Sequence, residues 1–280
     1  MSRPWSRTVS LALSAEGAHA ALHSAWPRRS VLARASFAAD ATPPTALPGT
    51  PSSASTPAPL VEAIDAVLAE LALVAPLRGA RLTVEFADDR THLDVVAGDH
   101  SGASERQLGA IAAACIAELL EDAAADHIVR WQLQPDLQHL LISALPRREV
   151  EMLVQAAARH GLNLTSLQPS FCVQWNRHAG ALPGGTGVWS LACHSHAVVV
   201  WANAGAVQAI RSGPWPAQPR GGWPDPRGTE NPLDAQVDRL LASQGLDTAQ
   251  IPAFVLVAPA LPEQAVAARW TVIDRQMELA

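Results

Sequence analysis

The feature that most constrains the fold is an order of strands and helices that occurs twice along the chain. Three short strand-like runs separated by turn residues open each half, over residues 8–37 and again over 188–211. A helix, a strand, a helix and a strand follow in each half. The first half carries an additional β-β-α-β-β-like insertion. The halves share little sequence, so the repetition lies only in the order of elements. This order predicts an α/β protein with two lobes, in which mixed sheets are flanked by helices.

Several elements are defined by local signals. A helix should begin after Ser104, because Gln107 completes a capping box with it, and the helix from Arg147 should stop at Gly161. Thr91–Val96 is predicted to pair with the strand before it as a hairpin across Asp88-Asp89. The other predicted elements are helices at 60–74, 231–244 and 263–269, and strands at 81–86, 127–134, 138–145, 162–168, 253–257 and 270–274.

Domain boundaries follow from composition. The segment 38–59 contains six prolines among Ala, Ser and Thr, which predicts a flexible connector. We therefore assign residues 1–168 to a first lobe with an insertion and this connector, and 169–280 to a second lobe. A second Pro/Gly-rich loop, 213–232, contains Trp215 and Trp223 and should be ordered in part.

Charge and cysteine content exclude several classes of protein. The 280 residues carry a net charge of -6 and no lysine, which argues against a nucleic-acid-binding surface and removes lysine-based chemistry. Cys115, Cys172 and Cys193 lie far apart, as expected in a reducing cytoplasm. The N-terminal apolar run, about five residues, is shorter than the ~7 of a signal peptide. No apolar segment is long enough to span a membrane. We expect a cytoplasmic protein.

One stretch carries a family resemblance. Residues 140–177 (LLISALPRREVEMLVQAAARHGLNLTSLQPSFCVQWNR) combine a strand, Pro-Arg, a helix, Gly-Leu, a strand and a proline before the next helix. This pattern resembles the actin-like (ASKHA) cytoplasmic assembly proteins, namely PilM of type IV pili and the cytoplasmic domain of GspL of type II secretion. The stretch RLTVEFADDRTHLDVV and the later strand with Trp131 are similar to the secretion protein. The resemblance covers roughly 80–212 and implies a two-lobed actin-like, ribonuclease H-like fold.

The resemblance also implies where a nucleotide site would lie. An actin-like site needs two tight hairpin turns with glycine, hydroxyl groups and an aspartate that organises the metal. The first turn should be 14–17 (SAEG) and the second 192–196 (ACHSH), and neither contains aspartate. A glycine-rich adenosine contact should follow the penultimate strand, but 257–260 (VAPA) has proline there. We expect no bound nucleotide or other cofactor.

The turn at 192–196 also raises the question of a metal. Cys193 lies on the opposite side of a strand from His194 and His196, so at most two of the three converge without help from His178 or Asp225. We expect a polar hairpin turn and no metal. The remaining candidate residues are also expected to have structural roles. Cys115 should be a small buried residue, and Glu118, Glu121 and Asp122 a solvated face.

Three further features are expected to have structural roles. The run Gly184–Gly187 precedes a strand instead of leading from a strand into a helix, so we expect an inter-lobe loop. Arg147 and Arg148 are expected on the surface, with an acidic group of a partner as the alternative. Trp175 and Trp189 are expected in the core or between lobes. No residue is singled out as catalytic, cofactor-binding or metal-binding.

Together these points predict a non-enzymatic cytoplasmic scaffold, peripheral to the inner membrane, of a secretion or pilus assembly platform. The resemblance implies an inner-membrane assembly protein as partner, with the assembly ATPase as a second candidate, and leaves a homodimer open. An extended peptide is expected to bind in a groove or along a strand edge. The alternatives are an ATP-binding protein of the same machinery with a divergent site, and an accessory domain of another envelope complex.

Overall fold

The computed structural model describes residues 7–14, 17–24, 30–38, 58–192, 196–214, 232–247, 251–257 and 270–274. The strands within these ranges are β1 Thr8–Ser14, β2 Gly17–His23, β3 Val31–Ala38, β4 Arg81–Phe86, β5 His92–Ala97, β6 His127–Leu133, β7 His139–Pro146, β8 Asn163–Pro169, β9 Gly187–Ala192, β10 His196–Asn203, β11 Ala206–Pro214, β12 Ala253–Val257 and β13 Trp270–Asp274. The helices within them are α1 Ala58–Val74, α2 Glu105–Leu120, α3 Arg147–Arg159, α4 Ser170–His178 and α5 Pro232–Ser243.

The first five-stranded sheet has the order β3-β2-β1-β4-β8. Its central strand β1 runs antiparallel to β2 and parallel to β4. All residues of β1 from Val9 to Leu13 are buried. The larger apolar side chains Val9, Leu11 and Leu13 share one face of the sheet. Helix α1 packs against β2 and β3. Its buried residues recur at helical spacing: Leu60, Ile64, Val67, Leu68 and Leu71.

Helices α1 and α3 are joined through one carboxylate. Arg159 Nη2 donates to Asp65 Oδ2 at 2.7 Å, and His160 Nε2 lies 3.1 Å from Asp65 Oδ1. The predicted end of α3 at Gly161 is confirmed, because this glycine has a φ of 66°, a left-handed conformation that other residues avoid.

The second five-stranded sheet repeats this order as β11-β10-β9-β12-β13. Here β9 runs antiparallel to β10 and parallel to β12. One face packs on α5 through Leu233, Val237, Leu240 and Leu241. On the other face, Trp189 of β9 packs against Phe171 and Trp175 of α4. All six residues of β9 are buried, so this sheet is covered on both faces.

The insertion forms a three-stranded sheet of order β5-β7-β6 with α2 on one face. The predicted capping box at Ser104 and Gln107 is present. The predicted hairpin between Thr91–Val96 and the preceding strand is wrong, since β5 pairs with β7. The physical reason is that β4 already has β1 and β8 as neighbours and therefore has no free edge. The insertion is accordingly β-α-β-β, and residues Asp88–Arg90 form a short 3-10 turn.

The described residues group into two compact units. One contains the residues up to Arg90 together with Pro146–Gln168, and the other contains Thr91–Leu145 and the residues from Pro169. In the second unit the insertion packs on β10 and β11 through Leu93 and Leu141. Gln134 adds a buried hydrogen bond, because its Oε1 accepts from the Val207 backbone N–H at 3.0 Å. The predicted lobe boundaries, 1–168 and 169–280, stay a prediction.

Some predicted elements lie outside the described residues. They are most of the connector at 38–59, most of the loop at 213–232, and the helix at 263–269.

Candidate functional site

The first predicted phosphate turn is a tight hairpin. Ser14 is paired with Gly17 in the register of β1 and β2, so the connection is two residues long. Gly17 has a φ of 146°, which favours glycine, and Ser14 Oγ donates to the Gly17 carbonyl at 3.4 Å. Ala15 and Glu16 lie outside the described residues. The position of the turn is confirmed, and its described residues supply one hydroxyl group and one glycine.

A buried carboxylate lies beyond the end of the neighbouring strand. Asp88 follows β4 and is only 6% exposed. The Ala87 N–H donates to the Leu13 carbonyl at 2.7 Å, which holds this segment beside the end of β1. Carboxyl ends of parallel strands are where α/β sheets bind ligands. The local sequence predicts Asp88 only as part of a hairpin, although an Asp directly after an alternating strand is the signal that could have identified it.

An ion pair lies near this edge of the first sheet. Arg90 Nη1 lies 3.0 Å from Glu149 Oε1, and both side chains are about four-fifths buried, with 17% and 21% exposed. Glu149 lies in the first turn of α3, where the helix dipole favours an acidic group. The neighbouring Arg147 and Arg148 are exposed, as predicted. The edge thus combines a buried acid, a paired arginine and two surface arginines.

The second predicted phosphate turn connects β9 and β10. Ala192 is paired with Ala197, and Cys193, His194 and Ser195 lie outside the described residues. The strand pair has an apolar interior with one buried polar residue, Ser190, whose Oγ donates to the Val198 carbonyl at 3.0 Å. The polar residues His196 and Asn203 lie at the two ends of β10. Its location between two strands is confirmed. The third predicted nucleotide contact, after β12 at 258–260, also lies outside the described residues.

The glycine run at 184–187 lies within the second compact unit, so its assignment as an inter-lobe loop is corrected. It lies against the β10–β11 turn, where the Gly205 N–H donates to the Gly185 carbonyl at 2.9 Å. Thr186 Oγ1 accepts from the Ala204 N–H at 3.1 Å. A Cβ on Gly185 would lie 2.5 Å from the Gly205 nitrogen. These glycines allow two backbones to approach closely, which is a structural role.

The half-buried Cys115 is a poor nucleophile. Its Sγ donates to Asp94 Oδ2 at 3.2 Å. Burial, the Asp94 hydrogen bond and nearby negative charge raise the pKa of the thiol to about 12. Such a thiol is protonated at neutral pH and does not attack a substrate. Glu118, Glu121 and Asp122 are all exposed, which confirms the predicted solvated face.

Two histidines lie on strands of the same three-stranded sheet. The rings of His92 and His127 are 5.4 Å apart in an edge-on arrangement. Burial, with a smaller contribution from His127, lowers the pKa of His92. No three histidine, cysteine or acidic side chains converge on a metal position in the part of the chain that the structure describes. Cys193, His194 and Asp225 are outside that part, so the expectation of no metal stays a prediction.

The aromatic residues of the second unit form a core cluster. Trp175 is 8% exposed and Trp189 is fully buried. Their ring centroids are 5.9 Å apart, and Phe171 contacts both rings. The two tryptophans are therefore packing residues of the second unit.

Neither a scan against protein-family models nor a search of curated protein sequences finds a significant match. Solved structures do match. The cytoplasmic domain of EpsL, an inner-membrane component of the type II secretion system of Vibrio cholerae, matches with a TM-score of 0.51 and 12% identity, over 97% of this chain and 87% of that chain. A Bacteroides thetaiotaomicron protein with an actin-like ATPase fold and unknown function has a TM-score of 0.51 and 10% identity, over 93% and 84%.

A third match is a chain of the PilM–PilN type IV pilus biogenesis complex, with a TM-score of 0.51 and 19% identity, over 75% of this chain and 62% of that chain. The predicted actin-like α/β fold is confirmed, and so is the likeness to secretion and pilus proteins of that fold. Among the helices within the described ranges, none is long and apolar enough to cross a membrane.

Proposed function

We propose that this chain is a non-catalytic cytoplasmic scaffold of a type II secretion or type IV pilus assembly platform. It binds an inner-membrane assembly protein, with the assembly ATPase as a second candidate partner. The observation that carries the proposal is a combination: a fold like that of EpsL and PilM, together with a first hairpin turn of sequence SAEG.

The chemistry of the turns supports the lack of catalysis. A phosphate cradle uses backbone N–H groups that glycine lets approach the ligand, and a carboxylate organises the metal. The stretches SAEG and ACHSH together contain one glycine and no aspartate. The first turn instead contains Glu16, whose negative charge would oppose a phosphate group.

The likeness to a cytoplasmic domain of an inner-membrane component supports a location on the inner face of that membrane. The likeness to PilM, whose solved complex contains PilN, supports a membrane-anchored partner. Cytoplasmic segments next to a membrane span are rich in Lys and Arg. The net charge of -6 favours encounter with such a segment.

The test uses the intact chain and fluorescein-labelled synthetic peptides. The peptides carry the cytoplasmic tails of the inner-membrane proteins of both machines from the same cell, and scrambled peptides serve as controls. We expect one tail to give saturable anisotropy with the same Kd whether or not Mg-ATP is present. Binding of no tail, or a Kd that changes tenfold with Mg-ATP, contradicts the scaffold.

The alternative is an ATP-binding protein of the same machinery, and Asp88 is the observation that favours it. This buried carboxylate at the carboxyl end of β4 could orient a metal-bound water. If the chain binds Mg-ATP there, Asp88→Asn should weaken binding at least tenfold. Asp89→Asn is the matched control, because Asp89 is adjacent in sequence but exposed.

A further inference from the structure

One edge of the first sheet brings several chain segments together. Residues at this edge are paired in register across four neighbouring strands: Val31, His23, Thr8 and Arg81. Adjacent strands lie about 4.8 Å apart, so this row is about 14 Å wide. Helix α1 ends at the same edge, because Arg7 Nη1 donates at 3.2 Å to the carbonyl of Pro76, which lies just beyond the helix. All of these residues belong to the first compact unit.

Large apolar side chains are exposed at this edge. Leu73 and Val74, the last two residues of α1, are 88% and 60% exposed. Val31 and Leu32, the first two residues of β3, are 43% and 44% exposed. A single exposed leucine needs no explanation, but four large apolar side chains at one edge indicate an interaction surface.

Three arginines lie at the same edge. The Arg81 N–H donates to the Arg7 carbonyl at 2.9 Å, so both residues lie where their strands begin. Arg78 lies in the turn between α1 and β4. Arg78 and Arg81 are exposed, and neither pairs with a carboxylate in the part of the chain that the structure describes. These guanidinium groups are therefore available to an anionic ligand.

The acidic groups near this edge do not cancel the arginines. Asp65 of α1 already binds Arg159 and His160. Glu70 is exposed and lies one turn before Val74, so one free carboxylate stands against three arginines. The C-terminus of α1 carries a partial negative charge, which Arg7 offsets by its hydrogen bond just beyond the helix. The edge is positive, although the whole chain has a net charge of -6.

We propose that this edge is a lipid-binding surface, the basic edge, which lies on a bilayer containing anionic phospholipids. It consists of the three arginines and the four apolar residues described above. The arginines bind the phosphate groups, because a guanidinium donates to phosphate oxygens from a planar fork. Leu73 and Val74 enter the boundary between head groups and acyl chains, as the apolar residues of interfacial helices do.

Two features favour a bilayer over an acidic protein segment. A protein partner needs a pocket that matches the protruding Leu73, whereas the boundary region of a bilayer accepts an apolar side chain of any shape. An anionic bilayer also repels the acidic remainder of the molecule and attracts the basic edge, which orients the chain on the membrane. The choice of a bilayer rests on the proposed location at the inner membrane.

Binding through the basic edge is weak by itself. Each arginine near an anionic surface raises partitioning about fivefold, and stable attachment to a membrane needs a second contribution. The basic edge therefore adds to the attachment that a membrane-anchored partner provides, since two linked contacts bind more tightly than either alone.

Co-sedimentation of the intact chain with extruded vesicles tests the basic edge. The vesicles consist of phosphatidylcholine alone or with about 40% phosphatidylglycerol, at up to about 5 mM lipid. We expect saturable binding only to the vesicles that contain phosphatidylglycerol. Raising the salt from about 0.05 M to about 0.5 M should release the chain, because salt screens the arginines from the lipid phosphates.

The arginines are tested by a double substitution. Arg78→Gln with Arg81→Gln should lower the partition coefficient about 25-fold, at about fivefold for each arginine. The matched control removes two exposed arginines of the second unit, Arg106→Gln with Arg130→Gln, and should leave the partition coefficient unchanged. All four side chains are exposed, so Tm should stay the same in both variants.

The apolar contribution is tested separately. Leu73→Ser should lower the partition coefficient several-fold, whereas Leu119→Ser, at a half-exposed leucine of α2, should not. The basic edge is overturned if the chain binds neither kind of vesicle or binds both equally. Equal losses in a variant and its control overturn it as well. If the chain ignores vesicles but the Arg78 and Arg81 variant loses an acidic protein partner, the edge binds protein and the lipid proposal is wrong.

Failure of the basic edge and failure of the proposed function are distinguishable. The vesicles contain no protein, and the assay with tail peptides contains no lipid. A chain that binds a tail but no vesicle loses only the basic edge, and a chain that binds vesicles but no tail loses only the scaffold.

Discussion

The two five-stranded sheets have the same strand order, but their buried central strands carry different side chains. In the first sheet, β1 is buried from Val9 to Leu13. Val9, Leu11 and Leu13 form an apolar face, while the small residues Ser10 and Ala12 lie on the other face. In the second sheet, β9 is buried along its whole length between α5 on one face and an aromatic cluster on the other. One topology is therefore built from two different hydrophobic patterns.

The polar face of the first sheet contains a small hydrogen-bonded group. Ser10 Oγ lies 3.1 Å from His23 Nε2, and Thr83 Oγ1 donates to Ser10 Oγ at 3.4 Å. Ser10 and His23 are both less than a tenth exposed. A satisfied polar group of this kind adds little net stability, whereas a buried aromatic residue adds much. The same strand order is therefore compatible with different side-chain packing. Substituting a buried side chain with alanine should destabilise the second sheet more than the first.

The largest effect is expected at Trp189. Trp189→Ala removes a fully buried ring that contacts Phe171 and Trp175 and should lower the free energy of unfolding by about 3–5 kcal/mol. Trp189→Phe should cost less, since it keeps a ring and removes an Nε1 for which the described part of the chain provides no acceptor. Urea unfolding followed by circular dichroism measures both. Equal losses for the two variants would contradict this packing role.

The next effect is expected where the 184–187 loop meets the β10–β11 turn. Gly185→Ala should cost about 2–4 kcal/mol, because it combines a φ of +70° with a backbone atom 2.5 Å from the new Cβ. Gly184→Ala is the control, since its φ is +59° but no atom lies within 4 Å. It should cost about 1 kcal/mol. A similar loss for both variants would mean that the close approach is relaxed in solution.

A smaller effect is expected on the polar face of the first sheet. Ser10→Ala removes the hydrogen bonds to His23 and Thr83 and should lower the free energy of unfolding by about 1 kcal/mol. Ser10→Thr keeps the hydroxyl group and serves as the conservative control. A loss from Ser10→Ala as large as that from Trp189→Ala would remove the contrast between the two sheets.

The smallest effect is a dependence of stability on pH from His92. Its pKa is lowered in the folded protein, so the unfolded chain binds protons more readily. Its contribution is present above an unfolded pKa of about 6.5 and is lost as the pH falls below that value. His92→Gln should therefore flatten the fall in urea midpoint between pH 7.5 and pH 5. His127→Gln should flatten it less, because it removes only the smaller cause.

Much of the fold could be predicted from local patterns. Strands β1, β4, β12 and β13 lie where the local sequence predicted them. The pairing of β5 could not be predicted, because it depends on β8, a strand more than sixty residues later that occupies the free edge of β4. Asp88 was missed for the same reason. The local sequence predicted it only as part of a hairpin, whereas it is 6% exposed in the folded chain.

The sequence predicted where the first turn of the candidate site lies better than it predicted what the glycine loop does. The hairpin turn after Ser14 lies where the resemblance implies it, since β1 and β2 are fixed by alternation and by Gly17. The function of the 184–187 loop was not predictable, because a run of glycines serves equally to bind a ligand or to admit another backbone. Only the position of Gly205 distinguishes the two roles.

The most direct test of the central claim is a thermal-shift titration of the intact chain with Mg-ATP, followed by the fluorescence of its nine tryptophans. The scaffold account predicts that Tm stays constant over the titration, because the two turns together contain one glycine and no aspartate. A saturable rise in Tm would contradict it. At 100 times the Kd, bound nucleotide would stabilise the chain by about 2.7 kcal/mol, and the protein would then be an ATP-binding member of its machinery.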